Sequence, residues 1–222
     1  MTSSRDRILG RIKTGTNAQE RTEADVEILQ ARIHSAKRGI VPAQTELGGK
    51  ARLEYFTAKA EGQGTSIKRV RNGAEALAEV RDFLRQNNLP ARIVASPSSQ
   101  LDDLGLDGAG DLEVRRGPAE KSDITSVTPV YRAIAETGTI VTRSGDETPS
   151  TLNFVPEYHI AILREKDLVA SYEDSWDAVR EKEMPRTVNW ISGPSRSGDI
   201  AMTMFMGAHG PRQQHIIIIE DQ

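Results

Sequence analysis

Up to about Gly62 the apolar residues recur at helical spacing, and beyond it strand and helix patterns alternate. Ser4 heads a short helix with Ile8, Leu9 and Ile12 on one face. A longer helix, from about Glu20 to Ser35, aligns Val26, Leu29 and Ile33, and Pro42 lies beyond its end. A third helix, around Lys50 to Ala60, carries Leu53, Tyr55 and Phe56 and runs into Gly62-Gln63-Gly64. Ser66–Val70 then reads as a short strand. Asn72 starts a helix with Glu75 as capping partner and Leu77, Val80 and Leu84 as its core stripe. Leu89-Pro90 ends that helix, and Ala91–Ala95 is the next strand. Further strands are expected at Ile124–Val127, Thr139–Arg143, Tyr158–Leu163, Thr187–Ser192 and Gln214–Glu220. Helices are expected at Tyr172–Glu181, with Tyr172, Trp176 and Val179 on one face, and at about Asp199–Met206.

Strands alternating with helices predict an α/β fold: a mostly parallel sheet with helices on both faces. With no internal repeat and no linker, the pattern predicts one domain over residues 1–222. It comprises a helical N-terminal layer (1–62) and an α/β core (63–222).

Composition narrows the chemistry. There is no cysteine, so no disulfide, thiolate nucleophile or thiolate-held metal or iron–sulfur cluster is expected, and no cofactor is expected in this chain. Lys and Arg number 29 against 32 Asp and Glu, and a net charge of −3 gives no reason to expect nucleic acid as a partner. The longest apolar run, Ile216-Ile217-Ile218-Ile219, suits a buried strand and is far short of a membrane span. The start, Met1 to Arg7, has no apolar signal core behind it, so a cytoplasmic protein is expected. Gly105, Gly108 and Gly110 stand in the order GxxGxG with no helix pattern after them, which is the wrong spacing for a dinucleotide fingerprint.

Three polar clusters are candidates for a site. The densest is Ser192-Gly193-Pro194-Ser195-Arg196-Ser197-Gly198-Asp199, between a strand and an expected helix and therefore expected at the carboxyl edge of the sheet. Gly193, Ser195, Arg196 and Ser197 would bind a small anionic ligand there, aided by free backbone N–H groups and a helix N-terminus. The same residues equally read as a capped strand-to-helix turn, with Ser195 or Ser197 as N-cap and Asp199 facing the dipole. The second cluster is Ala135-Glu136-Thr137-Gly138-Thr139, where Glu136 is a candidate general base and Thr137, Gly138 and Thr139 candidate ligand contacts. Its plainer reading is a turn with Gly138 at positive φ. The third is Gly207-Ala208-His209-Gly210-Pro211, in which His209 is either an acid/base group or part of a helix-end turn. His159, in an apolar strand, reads as a core or cleft histidine, and the scattered histidines make no metal site. The shared-cleft expectation is that Glu136, Thr137, Ser195, Arg196, Asp199 and His209 line one site, with Glu136, His209 and Asp199 as catalytic candidates.

Ala135–Thr139, Val155–Ile160, Ser192–Ile200 and Gly207–Pro211, in this order and followed by an apolar last strand, resemble the lactate-utilization protein C (LUD domain) family. The most specific part is Gly193 to Ile200 with His209-Gly210-Pro211 beyond it; Ser197-Gly198 stands where the family often has Thr-Ala. The resemblance implies a fold similar to the ribose-5-phosphate isomerase, CoA-transferase and formyltetrahydrofolate cyclo-ligase group. It also implies a non-redox part in oxidising L-lactate to pyruvate, beside two cysteine-rich iron–sulfur partner proteins. A stand-alone enzyme acting on a small phosphorylated or carboxylated substrate is the alternative.

Overall fold

A computed structural model describes residues 3–16, 21–43, 46–198 and 205–220. The chain divides into two compact units, residues 1–40 and 41–222. The first holds α1 (Ser4–Gly15) and α2 (Glu23–Ser35). Each starts with a reciprocal capping box: Ser3 with Asp6, and Thr22 with Asp25. Ser3, rather than Ser4, is the first cap because its side chain accepts from the Asp6 amide. Neither helix buries a residue.

The second unit begins with α3 (Gly49–Gly62), so the division falls at Ile40 and not at the end of the 1–62 layer. The physical reason is that α3 buries Leu53, Phe56 and Ala60 completely in the α/β core. There follow β1 (Ser66–Val70), α4 (Gly73–Gln86), β2 (Arg92–Ala95), β3 (Glu113–Arg116), β4 (Thr125–Pro129), β5 (Arg132–Ile134) and β6 (Thr139–Arg143). The chain continues through α5 (Thr151–Phe154), β7 (Tyr158–Arg164), β8 (Leu168–Val169), α6 (Tyr172–Arg180), β9 (Val188–Ile191), β10 (Arg196–Ser197), β11 (Phe205–Met206) and β12 (Gln213–Ile219).

Six strands form a parallel sheet in the order β1-β12-β7-β4-β2-β3. Its central strands are buried on both faces, which is why β12 reads as an unbroken isoleucine run. Alternate residues split between two cores. Ile217, Ile219, Ile160, Ile162 and Val127 meet Ala76, Val80, Phe83 and Leu84 of α4. Ile216, Ile218, Ala161 and Leu163 meet α3 and a second sheet. α4 begins as its sequence dictates, with the Asn72 side chain accepting from the Glu75 amide at 2.9 Å. The Glu75 carboxylate accepts from the Arg71 amide rather than from Asn72. The chain is therefore α/β, with a mostly parallel six-stranded sheet and helices on both of its faces.

Two strand assignments differ from the single-sheet expectation. Thr139–Arg143 and Val188–Ile191 join a separate four-stranded sheet, β8-β5-β6-β9, in which β6 is antiparallel to both neighbours. The cause is local: β5 and β6 are joined by a tight turn through Gly138, and so short a connection permits only antiparallel pairing. The expected 199–206 helix is also revised where it is described. Phe205–Met206 is a strand pairing antiparallel with Arg196–Ser197, and residues 199–204 lie outside the described residues.

These directions locate the motifs. All six parallel strands run the same way, with β12 starting at Gln213 and ending at Ile219. The Ser192–Ser197 and Gly207–Pro211 segments meet at the start of β12, so they lie at the amino edge of the parallel sheet, not at its carboxyl edge. Among the described residues no helix is long and apolar enough to cross a membrane.

Candidate active site

The Ser195 and His209 segments fold onto each other. The Ser195 amide donates to the Pro211 carbonyl at 2.8 Å, and the Gly207 amide donates to the Ser195 carbonyl at 2.9 Å. The β10–β11 pairing continues this hairpin. Between its arms and α5 lies a cavity of about 210 Å³, lined by Gly193, Pro194, Ser195, His209, Gly210 and Pro211 together with Ile191, Asn153, Phe154 and Gln214. Its polar groups differ in how they are held. The Gln214 side-chain oxygen accepts from the Thr65 hydroxyl at 2.9 Å. The Ser195 hydroxyl accepts a 3.4 Å hydrogen bond from the His209 amide. Asn153, which is buried, donates from Nδ2 to the Thr142 hydroxyl at 3.1 Å, while its Oδ1 has no hydrogen-bond partner. A buried acceptor left unmade costs free energy.

The first motif lies beside this cavity, not in it. Glu136 accepts from the backbone N–H of Tyr172, at the start of α6, at 3.4 Å. Its carboxylate therefore serves the positive end of a helix, and Glu136 is not among the cavity's lining residues. Thr137 and Thr139 join their hydroxyls at 2.7 Å, each reaches the Tyr172 hydroxyl, and Thr139 also bonds the Ser192 hydroxyl at 2.6 Å. The Tyr172 ring stacks on Trp190 at 4.7 Å. This hydroxyl cluster ties the Thr139 segment to Ser192, one residue before the cavity wall.

Gly138 and Gly193 have a packing role. Both have positive φ, 69° and 79°, and both touch the end of α3. A Cβ on Gly138 would sit 2.3 Å from the Ala60 nitrogen, and one on Gly193 would sit 2.6 Å from the Gln63 carbonyl oxygen. Arg196 adds to the same junction: its exposed guanidinium donates to the Gln63 carbonyl, where the helix C-terminus favours a positive charge. Arg196 thus turns to α3 and not to Glu136 or His209, which overturns the six-residue shared cleft. Gly193, Ser195 and His209 come together in the cavity; Ser197 is in β10, and Asp199 lies outside the described residues. Ser195 is followed directly by β10 and so caps no helix there, while the amides that a Ser197 cap would hold lie outside the described residues. Arg196→Ala should lower stability by about 0.5–1 kcal/mol, measured by urea unfolding, with ligand binding in the cavity unchanged.

His159 is fully buried. Its Nε2 pairs with the Thr128 hydroxyl at 2.7 Å, its Nδ1 has no partner, and burial pushes its pKa down to about 4. It is a core residue, uncharged near neutral pH. Among the described residues no group of three His, Asp or Glu side chains could hold a metal ion. The cavity residues that the sequence did not signal are Asn153, Phe154 and Gln214. Asn153 and Phe154 sit in a single-turn helix with no periodicity to mark it, and Gln214 is the second of three polar residues that open an otherwise apolar strand.

The cavity lining, Gly138 and Gly193, and the hydroxyl cluster all lie in a segment that resembles other proteins. The LUD domain family model matches residues 124–219. A lactate utilization protein C of Halalkalibacterium halodurans is 36% identical over 109 residues, covering 47% of each chain. A lactate utilization protein C of Anoxybacillus flavithermus is 34% identical over 89 residues, covering 40% of each chain. The matched segments thus span less than half the length of these curated relatives. The crystal structure of a DUF162 family protein from Deinococcus radiodurans superposes with a TM-score of 0.61 at 22% identity, over 78% of this chain and 99% of that one, a likeness of fold. Residues 124–219 are therefore the part of the chain that is similar to the LUD domain family.

Proposed function

We propose that this chain serves lactate utilization by binding L-lactate in the cavity between Ser195, His209 and Asn153. In this reading it is a component without a redox group of its own, and electrons pass to two cysteine-rich iron–sulfur partners. The names of the relatives support the pathway, and the absence of cysteine supports the division of labour.

The observation that carries the ligand is the unpartnered Oδ1 of Asn153. An α-hydroxy carboxylate brings a hydroxyl donor to that acceptor, while its carboxylate takes donors from the Ser195 hydroxyl and the His209 ring. Pyruvate has a carbonyl at the same carbon and offers Asn153 no proton. A site built around a hydrogen bond rejects the analogue that lacks it, because the site's group is left unpaired.

L-lactate should therefore bind about tenfold or more tightly than pyruvate by calorimetry, and Asn153→Leu should erase the difference. In cells, a strain lacking the gene should fail to grow on L-lactate but grow on pyruvate, with the Asn153→Leu chain a poor substitute. Equal affinity for the two acids, or normal growth on lactate without the gene, would refute the reading.

A further inference from the structure

The geometry points to a second binding site, at the carboxyl edge of the parallel sheet, for the oxyanion of a small molecule bearing a carboxylate or phosphate. It shares no residue with the Ser195–His209 cavity and does not rest on the lactate reading.

Here β2, β4 and β7 end at Ala95, Pro129 and Arg164, and the segments that follow them diverge around a cleft of about 540 Å³. Ligands of open α/β sheets bind outside these strand ends, and the volume lies within the usual range for small-molecule sites. A chamber of about 150 Å³ adjoins the cleft and shares Gln100, Tyr131 and Lys182 with it.

Charge in this region is divided unevenly. In the cleft, Arg132 pairs with Asp167 at 2.8 Å and Arg164 pairs with Asp103 at 2.5 Å, so those guanidiniums have counter-charges. The chamber lining holds Arg143 and Lys182 against the one carboxylate of Glu147. Arg143 donates to the Glu183 carbonyl at 2.5 Å and lies over the Tyr131 ring, 4.9 Å from its centre. The Tyr131 ring is fixed in turn by its hydroxyl, which donates to the Ala178 carbonyl at 2.6 Å. The buried Nε of Arg143 has no partner. The chamber wall thus carries more positive than negative charge, and an anion in the chamber supplies the counter-charge that Glu147 alone does not. The chamber is too small for more than the anionic head of a ligand, and the larger cleft outside it takes the remainder.

The test is a calorimetric titration of the full chain with inorganic phosphate and, separately, with succinate, which has no hydroxyl for Asn153. Saturable binding of one of them is expected, weakened about tenfold by Arg143→Met, a few-fold by Lys182→Met and not at all by Ser195→Ala. Tighter phosphate identifies a phosphorylated ligand, and tighter succinate a carboxylate. Lys182 is exposed, so its substitution tests the site even where Arg143→Met disturbs the fold. The site does not exist if neither anion binds saturably, or if binding is indifferent to both substitutions.

Discussion

Replacing Gly138 with alanine is expected to lower the free energy of unfolding by about 4 kcal/mol, a large part of a domain's usual margin. Two penalties add. At φ 69° a Cβ is strained against its own backbone, which costs on the order of 1 kcal/mol or more. The added methyl would also stand 2.3 Å from the Ala60 nitrogen and 2.7 Å from its Cα. Those are helix backbone atoms in α3, whose Leu53, Phe56 and Ala60 are fully buried, so the helix cannot retreat without opening the core. Gly145→Ala is the control. Its Cβ would come no closer than 3.6 Å, to the Thr148 hydroxyl, and its φ is not positive, so stability should stay within about 0.5 kcal/mol. Guanidinium unfolding of the two variants measures the difference. A Gly138→Ala chain within about 1 kcal/mol of the parent would show that α3 does not bear on the turn as described.

The same contact explains why the most recognisable residues of the chain lie where they do. Gly138, in the β5–β6 turn, and Gly193, just past the end of β9, close on consecutive parts of the α3 terminus, Ala60 and Gln63. Arg196 completes the closure from β10 by binding the Gln63 carbonyl. The motif segments therefore have two tasks: their glycines and Arg196 seat a helix, and Ser195 with His209 walls a cavity beside it.

The longer strands were legible in the sequence, but the short strands β3, β5, β8, β10 and β11 were not, nor were the strands' partners. Tyr158–Leu163 and Gln214–Glu220 are central strands of the parallel sheet, and their uninterrupted apolar runs say as much. Thr139–Arg143 reads equally as a strand, yet its period of two carries no information about which sheet it joins. The signal that was available is the Thr137-Gly138 pair, a tight-turn sequence ahead of that strand. It marks a hairpin with Arg132–Ile134, too short and too polar at its start to read as a strand alone. Once β6 and β9 leave the parallel sheet, the Ser192 segment no longer lies at that sheet's carboxyl edge. The cavity's third wall escaped because Asn153 is polar, buried and carried on one turn of helix, a combination that has no periodic signature.

Acidification from pH 7 is expected to destabilise the fold mainly between pH 6.5 and about 4, with His159 the principal cause. Burial pushes its folded pKa down to about 4, against an ordinary value of 6.5. The unfolded chain therefore binds a proton, over this window, that the native state refuses, and stability rises with pH. The contribution is fully present above pH 6.5, shrinks as pH falls and is exhausted once the native ring also protonates near pH 4. A gap of about 2.5 pH units corresponds to about 3 kcal/mol. His215 is also pushed down to about 4 by burial, and the nearby Lys68 acts the same way. However, His215 has the Glu79 carboxylate 3.4 Å from its Nε2, so a proton taken up there finds a counter-charge. His159 has only the Thr128 hydroxyl and stands without a carboxylate among its hydrogen-bond partners. His159→Gln should flatten the acid limb of urea midpoints measured from pH 4 to pH 7, and His215→Gln should flatten it less. If the slope is the same with and without His159, the ring is not the neutral core group that its burial requires.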